Sequence, residues 1–553
     1  MGGSLPAKKK ESDPLQRVPV PLCIFFLFFV SCGEKAPVIS SIDPRIGSGG
    51  EVLTIRGENF GLRRDESYVT IAGTSPTSSS YLSWEDDSIS LRIPELGESG
   101  LLYVWAGGKK SNGILFSNRA GIPKPAQGAD MGIGPRISSV TPQSGPVGSL
   151  VTITGSGFGG SRERSGVYFA WNAESSAAAP AEARKAEPVE VFEAEFGYEL
   201  WSEREIRVRV PDGAISGNLE VRTPQGSSRP FFFDVSGKPG TKTYGDKRSY
   251  TISYSVNIQV EEASEPNSLY LWIPRPVSSA SQRGVELLSR SAEPFVDNYR
   301  GTSLFQLNNL NSRSQTGITL SYRVEVYSLK TALQAQLVKS GGDSPVDSVY
   351  LLPGPLIPSG DPRVKTLAAA VTGKERNAYL KARQIYDWLI REGNIRPQVL
   401  AGGVIEALEQ KRADPYMAAL LFCALCRASG ISAIPVSGVL VNRGGETVKH
   451  YWAEFWINGF GWVPVDPALG AGAAPASFSL REDRADWYFG NLDNQRIAFS
   501  RGQTLLSPMD VRGRAAYRTR EYALQNLWEE AVGGLESYSS LWGDITITGT
   551  YVQ

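Results

Sequence analysis

DPYMAALLFCALCRASGI, residues 414–431, is the stretch on which the reading of this chain turns. Asp414 suits a helix N-cap, because its carboxylate can accept an otherwise orphaned backbone N–H of the first turn. Pro415 suits the first helical position, where no N–H is needed and φ is already helical. From Tyr416 to Cys426 the run is apolar on every side, so the expected helix of about four turns belongs inside a domain. Ahead of it, Ala378, Ala382, Ile385 and Leu389 recur at three- and four-residue spacing and predict an amphipathic helix, with a further helix over about 403–409.

Downstream, HYWAEFWINGFGWVPVDPALG runs from His450 to Gly470. Residues 450–456 and 460–466 read as strands, and Ile457-Asn458-Gly459 suits a three-residue hairpin loop with Gly in the left-handed position. That register pairs Trp456 with Phe460 and sets His450 directly opposite Asp466 on one face, where cross-strand neighbours touch. A carboxylate so placed can fix the tautomer and orientation of an imidazole. A two-residue Asn-Gly loop would put the two side chains on opposite faces, so the pairing depends on the loop. A lone His in a strand is more often a packed or solvated residue; the pairing with Asp466 makes this one a candidate dyad.

YMAALLFCALCRASGISA, the H-x-W-x-E of His450, Trp452 and Glu454, the G-W-x-P-x-D of Gly461, Trp462, Pro464 and Asp466, and the later YFGNLDNQRIAFSRG resemble the core of the transglutaminase-like superfamily, a branch of the papain-like Cys-His-Asp fold. The resemblance covers about 245–502. It implies an α+β domain over 362–502, with His450 and Asp466 as two members of a triad and Trp452, Glu454 and Trp462 as binding residues beside them. In active members a Cys opens the helix twelve residues before the Arg of the R-A-x-G-I segment, where the helix N-terminus and an imidazole lower the thiol pKa. Counting back from Arg427 reaches Pro415, which has no nucleophilic atom, and the intervening Ala419-Leu420-Leu421-Phe422 run fits without a gap. The expectation is a retained dyad without its nucleophile. Cys423 and Cys426 lie roughly 12 and 16 Å farther along the helix, in an apolar run that raises a thiol pKa. An active cysteine-type transglutaminase or peptidase would have to recruit one of them for an acyl-thioester step.

At 553 residues the chain is too long for one hydrophobic core. Lys+Arg and Asp+Glu balance at 57 each, without long runs of one sign, which argues against a nucleic-acid-coating protein. With one His in the whole chain and no ligand-spaced cluster, no metal and no cofactor are expected. Lys8, Lys9, Lys10 and Arg17 precede an apolar run, Val18 to Val30, that ends at Ser31-Cys32. The run is too short for a membrane span of roughly 20 residues and reads as a signal peptide over 1–31. FVSC-G resembles a bacterial lipobox, which makes Cys32 the expected lipidation site and a bacterial membrane, at its periplasmic face or the cell surface, the expected location.

PVISSIDPRIGSGGEVLTIRGENFG from Pro37 recurs as PRISSVTPQSGPVGSLVTITGSGFGG from Pro135, and YLSWEDDSISLRIPE from Tyr81 as YELWSEREIRVRVPD from Tyr198. The second copy carries extra residues, assigned to an Ala-rich loop over about 174–190. Both copies alternate apolar and polar residues between Gly and Pro, as sandwich strands do, and resemble IPT/TIG domains, small immunoglobulin-like sandwiches, over 37–130 and 135–236. Strand patterns over 244–350 resemble the β-sandwich that precedes bacterial transglutaminase-like domains. The tail, 503–553, includes EYALQNLWEEAVGGL, read as an amphipathic helix. The fold class expected is thus multidomain: N-terminal all-β immunoglobulin-like sandwiches, a β-sandwich, then an α+β papain-like domain. The function expected is that of a lipid-anchored envelope protein binding a peptide, a protein or a peptidoglycan stem. A surface adhesin using the repeats is the other non-enzymatic reading.

Overall fold

The computed structural model describes residues 35–94, 99–119, 134–173, 187–192, 196–338 and 346–552. The expected signal peptide and Cys32 lie outside them, as do residues 174–186 of the Ala-rich insertion. The protein is mostly β, with immunoglobulin-like sandwiches at the N-terminal end and the α+β domain toward the C-terminal end.

In the first repeat, β1 (Tyr68–Ile71), β2 (Gly100–Ala106), β3 (Lys109–Lys110) and β4 (Ile114–Asn118) form, with the short strand Ile46–Gly47, a five-stranded sheet, and a separate sheet of the repeat has four strands. Val69, Ile71, Leu102 and Val104 alternate inward with no exposure at all, the period-two burial that alternation demands. In the second repeat the matching sheet contains β5 (Gly166–Trp171), β6 (Glu187–Glu190), β7 (Gly217–Thr223) and β8 (Gly226–Ser227). Here the loop expectation for 174–190 needs correction at its end: residues 187–190 pair with β5 through Phe169↔Val189, because Val189 brings one more apolar side chain to bury.

The third unit is an eight-stranded sheet built around β9 (Gly240–Pro274), a 35-residue strand that pairs with β10 (Gln315–Leu333) along most of its first half. The tail completes this sheet. After the α+β domain, β15 (Arg514–Ala516), β16 (Glu529–Trp542) and β17 (Thr546–Val552) join it, with β16 and β17 both on β9. The helix expected over 521–535 is therefore wrong. Gly533, at φ +70, and Gly534 pass so close to the backbone at 264–267 that a Cβ on either would lie 2.3 Å from a carbonyl oxygen.

The α+β domain opens with α1 (Pro362–Thr372), α2 (Ala378–Glu392), α3 (Val404–Gln410) and α4 (Pro415–Ala428). Asp414 accepts from Met417 N at 2.9 Å, and Pro415 stands in the first turn, so α4 starts where the sequence places it. Its sheet runs in the order β13 (Gly461–Val465), β12 (Thr447–Ile457), β11 (Ala433–Val441), β14 (Arg496–Arg501), all antiparallel. Every residue of β11 is buried, as a strand covered on both faces requires. Tyr451, Ala453, Phe455 and Ile457 pack with α4, while Trp452, Trp456 and Val436 share a second core with the second repeat and the β9–β10 sheet.

Candidate functional site

The β12–β13 hairpin carries the predicted dyad, in a register two residues away from the expected one. Ile457 pairs with Gly461, and Trp456 with Trp462 rather than Phe460. Phe460 N bonds back to Ile457 O at 3.0 Å with Gly459 at φ +79 inside the turn, and Gly461 follows at φ +93. Two glycines in the left-handed range thus push the last pair outward. Because the shift is even, it leaves every side chain on its expected face. His450 and Asp466 are diagonal neighbours, and His450 Nε2 lies 2.8 Å from Asp466 Oδ2.

Both groups are interior, His450 at 1% and Asp466 at 0% exposure. Asp466 follows β13 directly and caps the short helix α5 (Pro467–Gly470), where its Oδ1 accepts from Leu469 N at 3.0 Å. Its Oδ2 also accepts from Arg496 Nη1 at 3.0 Å, and Arg496 Nη2 reaches Asp493 at 2.7 Å. Burial alone would raise the Asp466 carboxyl, but the charge and hydrogen bond of His450, with Arg496 and the Leu469 amide, hold it below the usual carboxylate range. Arg496 was not singled out from sequence. It comes from β14, and only the strand order brings it to the carboxylate; the nearest signal was its place inside DNQRIAFSRG.

Trp452, Glu454 and Trp462 share the His450 face. The Trp452 ring stacks with His450 at 6.3 Å between centroids, and the Arg496 guanidinium lies 5.0 Å from the Trp452 ring. Glu454 is paired with Arg501 Nη2 at 2.6 Å, and Arg501 lies 5.7 Å from the Trp462 ring. Trp452 and Trp462 are each 2% exposed. The space between Trp452, Glu454, Gln282, Tyr327 and Arg496 is about 20 Å³, room for about one water. The expected binding residues are therefore packed toward the β9–β10 sheet and do not line an open groove.

Pro415 occupies the first turn of α4, beside Tyr416, whose ring packs on Tyr451 at 5.1 Å. The tail crosses this end of the helix. Arg520 is ion-paired with Asp414, donates to Gly402 O at 2.7 Å and lies over the Tyr416 ring at 4.5 Å. The Glu521 carbonyl accepts from Tyr451 Oη at 3.0 Å and Ser437 Oγ at 2.9 Å. Sequence reasoning missed this cover because nothing local ties residues 520–521 to residue 414.

Cys423 and Cys426 are reduced and fully buried in α4. Burial pushes the Cys423 thiol up to about 12 and raises Cys426 as well. Among the described residues no cluster of three His, Cys, Asp or Glu could hold a metal ion, and no helix is long and apolar enough to cross a membrane. The arrangement can orient an imidazole and hold its proton at Asp466. The two described cysteines, buried in α4 with their pKa values raised, are protonated at neutral pH.

The transglutaminase-like superfamily core matches residues 365–467, and the IPT/TIG domain matches residues 37–118 and 135–173. An uncharacterized protein of Haemophilus influenzae is 24% identical over 302 residues, 46% of this chain and 79% of that protein. A cyclomaltodextrin glucanotransferase of Paenibacillus macerans is 27% identical over 85 residues, of which 15% of this chain and only 12% of the enzyme are covered. Among solved structures, the periplasmic domain of TgpA from Pseudomonas aeruginosa bound to ethylmercury superimposes with a TM-score of 0.24 at 15% identity, over 40% of this chain and 89% of that one.

Proposed function

We propose that this chain, which carries a transglutaminase-like core and IPT/TIG domains, is a non-catalytic protein of the bacterial envelope. Cys32 bears the lipid, the repeats act as spacers, and the chain binds a peptide, a protein or a peptidoglycan stem without covalent chemistry. One observation carries the non-catalytic reading: the helix position twelve residues before Arg427, where active members hold their Cys, is Pro415, fitted as the first residue of a capped α4. Two further observations support it. Both described thiols are buried and shifted upward, so they stay protonated at neutral pH. The dyad carboxylate is shared with Arg496, as befits a structural network.

The test is enzymatic and chemical together. Purified protein is incubated with a glutamine-containing casein and a fluorescent primary amine, and separately with iodoacetamide followed by peptide mass mapping. The expected result is no amine incorporation and no native-state alkylation of Cys423 or Cys426. Amine incorporation that disappears in His450→Ala would overturn the reading. In Pro415→Cys the new thiol, at a helix N-terminus, is expected to alkylate far faster than the two buried ones. Lipid attachment is checked by metabolic labelling with an alkynyl fatty acid, with loss of label in Cys32→Ser.

A further inference from the structure

β16 does not run straight. Trp542 Nε1 and Ser540 Oγ both donate to Glu529 Oε1 at 2.6 Å, across 13 and 11 residues of the same strand. An extended strand of the greater length would span roughly 43 Å, so β16 folds back on itself. The fold falls at Gly533-Gly534, where the pairing with β9 jumps from Ala263↔Leu535 to Asn267↔Gly533. Between the two limbs and β15 lies a cleft of about 420 Å³, within the range of small-ligand sites.

Two of the charges that line the cleft are already matched. Glu529 is 1% exposed, and besides Ser540 and Trp542 its Oε1 accepts from Arg518 Nη2 at 2.9 Å. This pair holds the limbs together. Two other charges are not matched. Arg514 donates to Leu535 O, which fixes its guanidinium beside the cleft, and it forms no ion pair among the described residues. Glu536, which lines the same cleft, has no cation partner among them either. A cation and an anion thus face one space, each without a counter-charge and not paired with each other.

We propose that this cleft is a binding site for a small zwitterion, an amino acid or a short peptide, whose carboxylate pairs with Arg514 and whose ammonium pairs with Glu536. A guanidinium takes a carboxylate through charge-assisted bonds, and a carboxylate takes an ammonium in the same way. The remaining lining disfavours other ligands. Apart from the Tyr538 ring, the apolar side chains are only Ala515 and Ala516, too little surface to hold an aliphatic molecule. A polyanion would meet Glu536 as well as Arg514, and a polyamine would meet the reverse. The cleft shares no lining residue with the space beside Trp452 and Arg496, so this inference does not rest on the reading of the His450–Asp466 region.

The test is titration calorimetry of the purified chain with L-alanine and with trialanine, each compared with its N-acetylated form and its amide. At least one uncapped ligand is expected to bind saturably, and which one binds tells a free amino acid from a peptide. Acetylation or amidation should each weaken binding about tenfold or more, since each removes a charge-assisted bond. Glu536→Gln should cost a similar factor for the uncapped ligand and leave the N-acetylated one where it was, a pattern that a general disturbance of the cleft would not produce. Arg514→Gln should weaken the uncapped and N-acetylated ligands alike. Arg512→Ala, at a side chain 88% exposed and outside the cleft, should change nothing. No saturable binding of either uncapped ligand, equal binding of capped and uncapped forms, or an affinity unchanged in Glu536→Gln would overturn the proposal.

Discussion

Asp466, itself 0% exposed, has three duties: it fixes His450, neutralises part of Arg496 and caps α5. Removing its charge strands a buried guanidinium that keeps only Asp493, so Asp466→Asn should cost on the order of 3–5 kcal/mol in urea unfolding at pH 7. The pH dependence has a definite sign. The folded carboxyl is held below its unfolded value of about 3.9, so its stabilisation is complete above that value and is lost as pH falls through the folded pKa. Unfolding free energy of the native protein should therefore drop on acidification below about pH 4, and part of that slope should be missing in Asp466→Asn. At this scale the sequence showed His450 and Asp466 because spacing within one hairpin fixes their face. Arg496 could not be read the same way, since its approach requires β14 to lie beside β11, a long-range choice with no local signature.

α4 shows how much an element can announce and how much it cannot. Its start was legible because a cap residue and a first-turn proline act on the nearest backbone groups. Its burial was legible too, because an all-round apolar helix has nowhere else to go. What local reasoning could not supply is the second use of Asp414, whose Oδ2 accepts from Leu400 N at 2.8 Å and pairs with Arg520. Asp414→Ala should thus lose more than an ordinary cap: about 1 kcal/mol for the cap and about 1–2 more for the partners left unpaired. Asp414→Asn, which keeps the cap acceptor, should recover roughly the first part; equal loss in both variants would show that the ion pair dominates. The tail was misread for the converse reason. Leu524, Leu527, Trp528 and Ala531 fit helical spacing, but the Gly533-Gly534 pair marks a close backbone approach, and a strand of the eight-stranded sheet supplies the long-range partner that local periodicity ignores.

At the scale of the whole molecule, the cores divide the chain differently from the repeats. The first repeat's core contains only its own residues, from Ile39 to Phe116. The second repeat's core instead runs on through Tyr244, Tyr327 and Leu329 of the β9–β10 sheet into Trp452, Trp456 and Trp462 of the α+β domain. Lys242 fastens the same junction: its side chain is 6% exposed, pairs with Asp212 of the second repeat and donates to Trp462 O at 2.6 Å. The repeat itself was legible in sequence because a duplicated module repeats its letters; which copy is welded to its neighbours was not, because the weld is made of contacts between units. Two sequence-equivalent domains should consequently melt differently. Calorimetry of the full chain is expected to resolve an independent transition for the first repeat and one cooperative transition for the rest. Deleting residues 35–119 should remove the former and leave the midpoint of the latter in place. Lys242→Ala should do the reverse, lowering only the larger transition by about 3–5 kcal/mol at pH 7, because it leaves the Asp212 carboxylate buried without its cation. A single transition for the full chain, or a shift of the larger one on deleting the first repeat, would mean that the first repeat is coupled to the others through contacts that its self-contained core does not reveal.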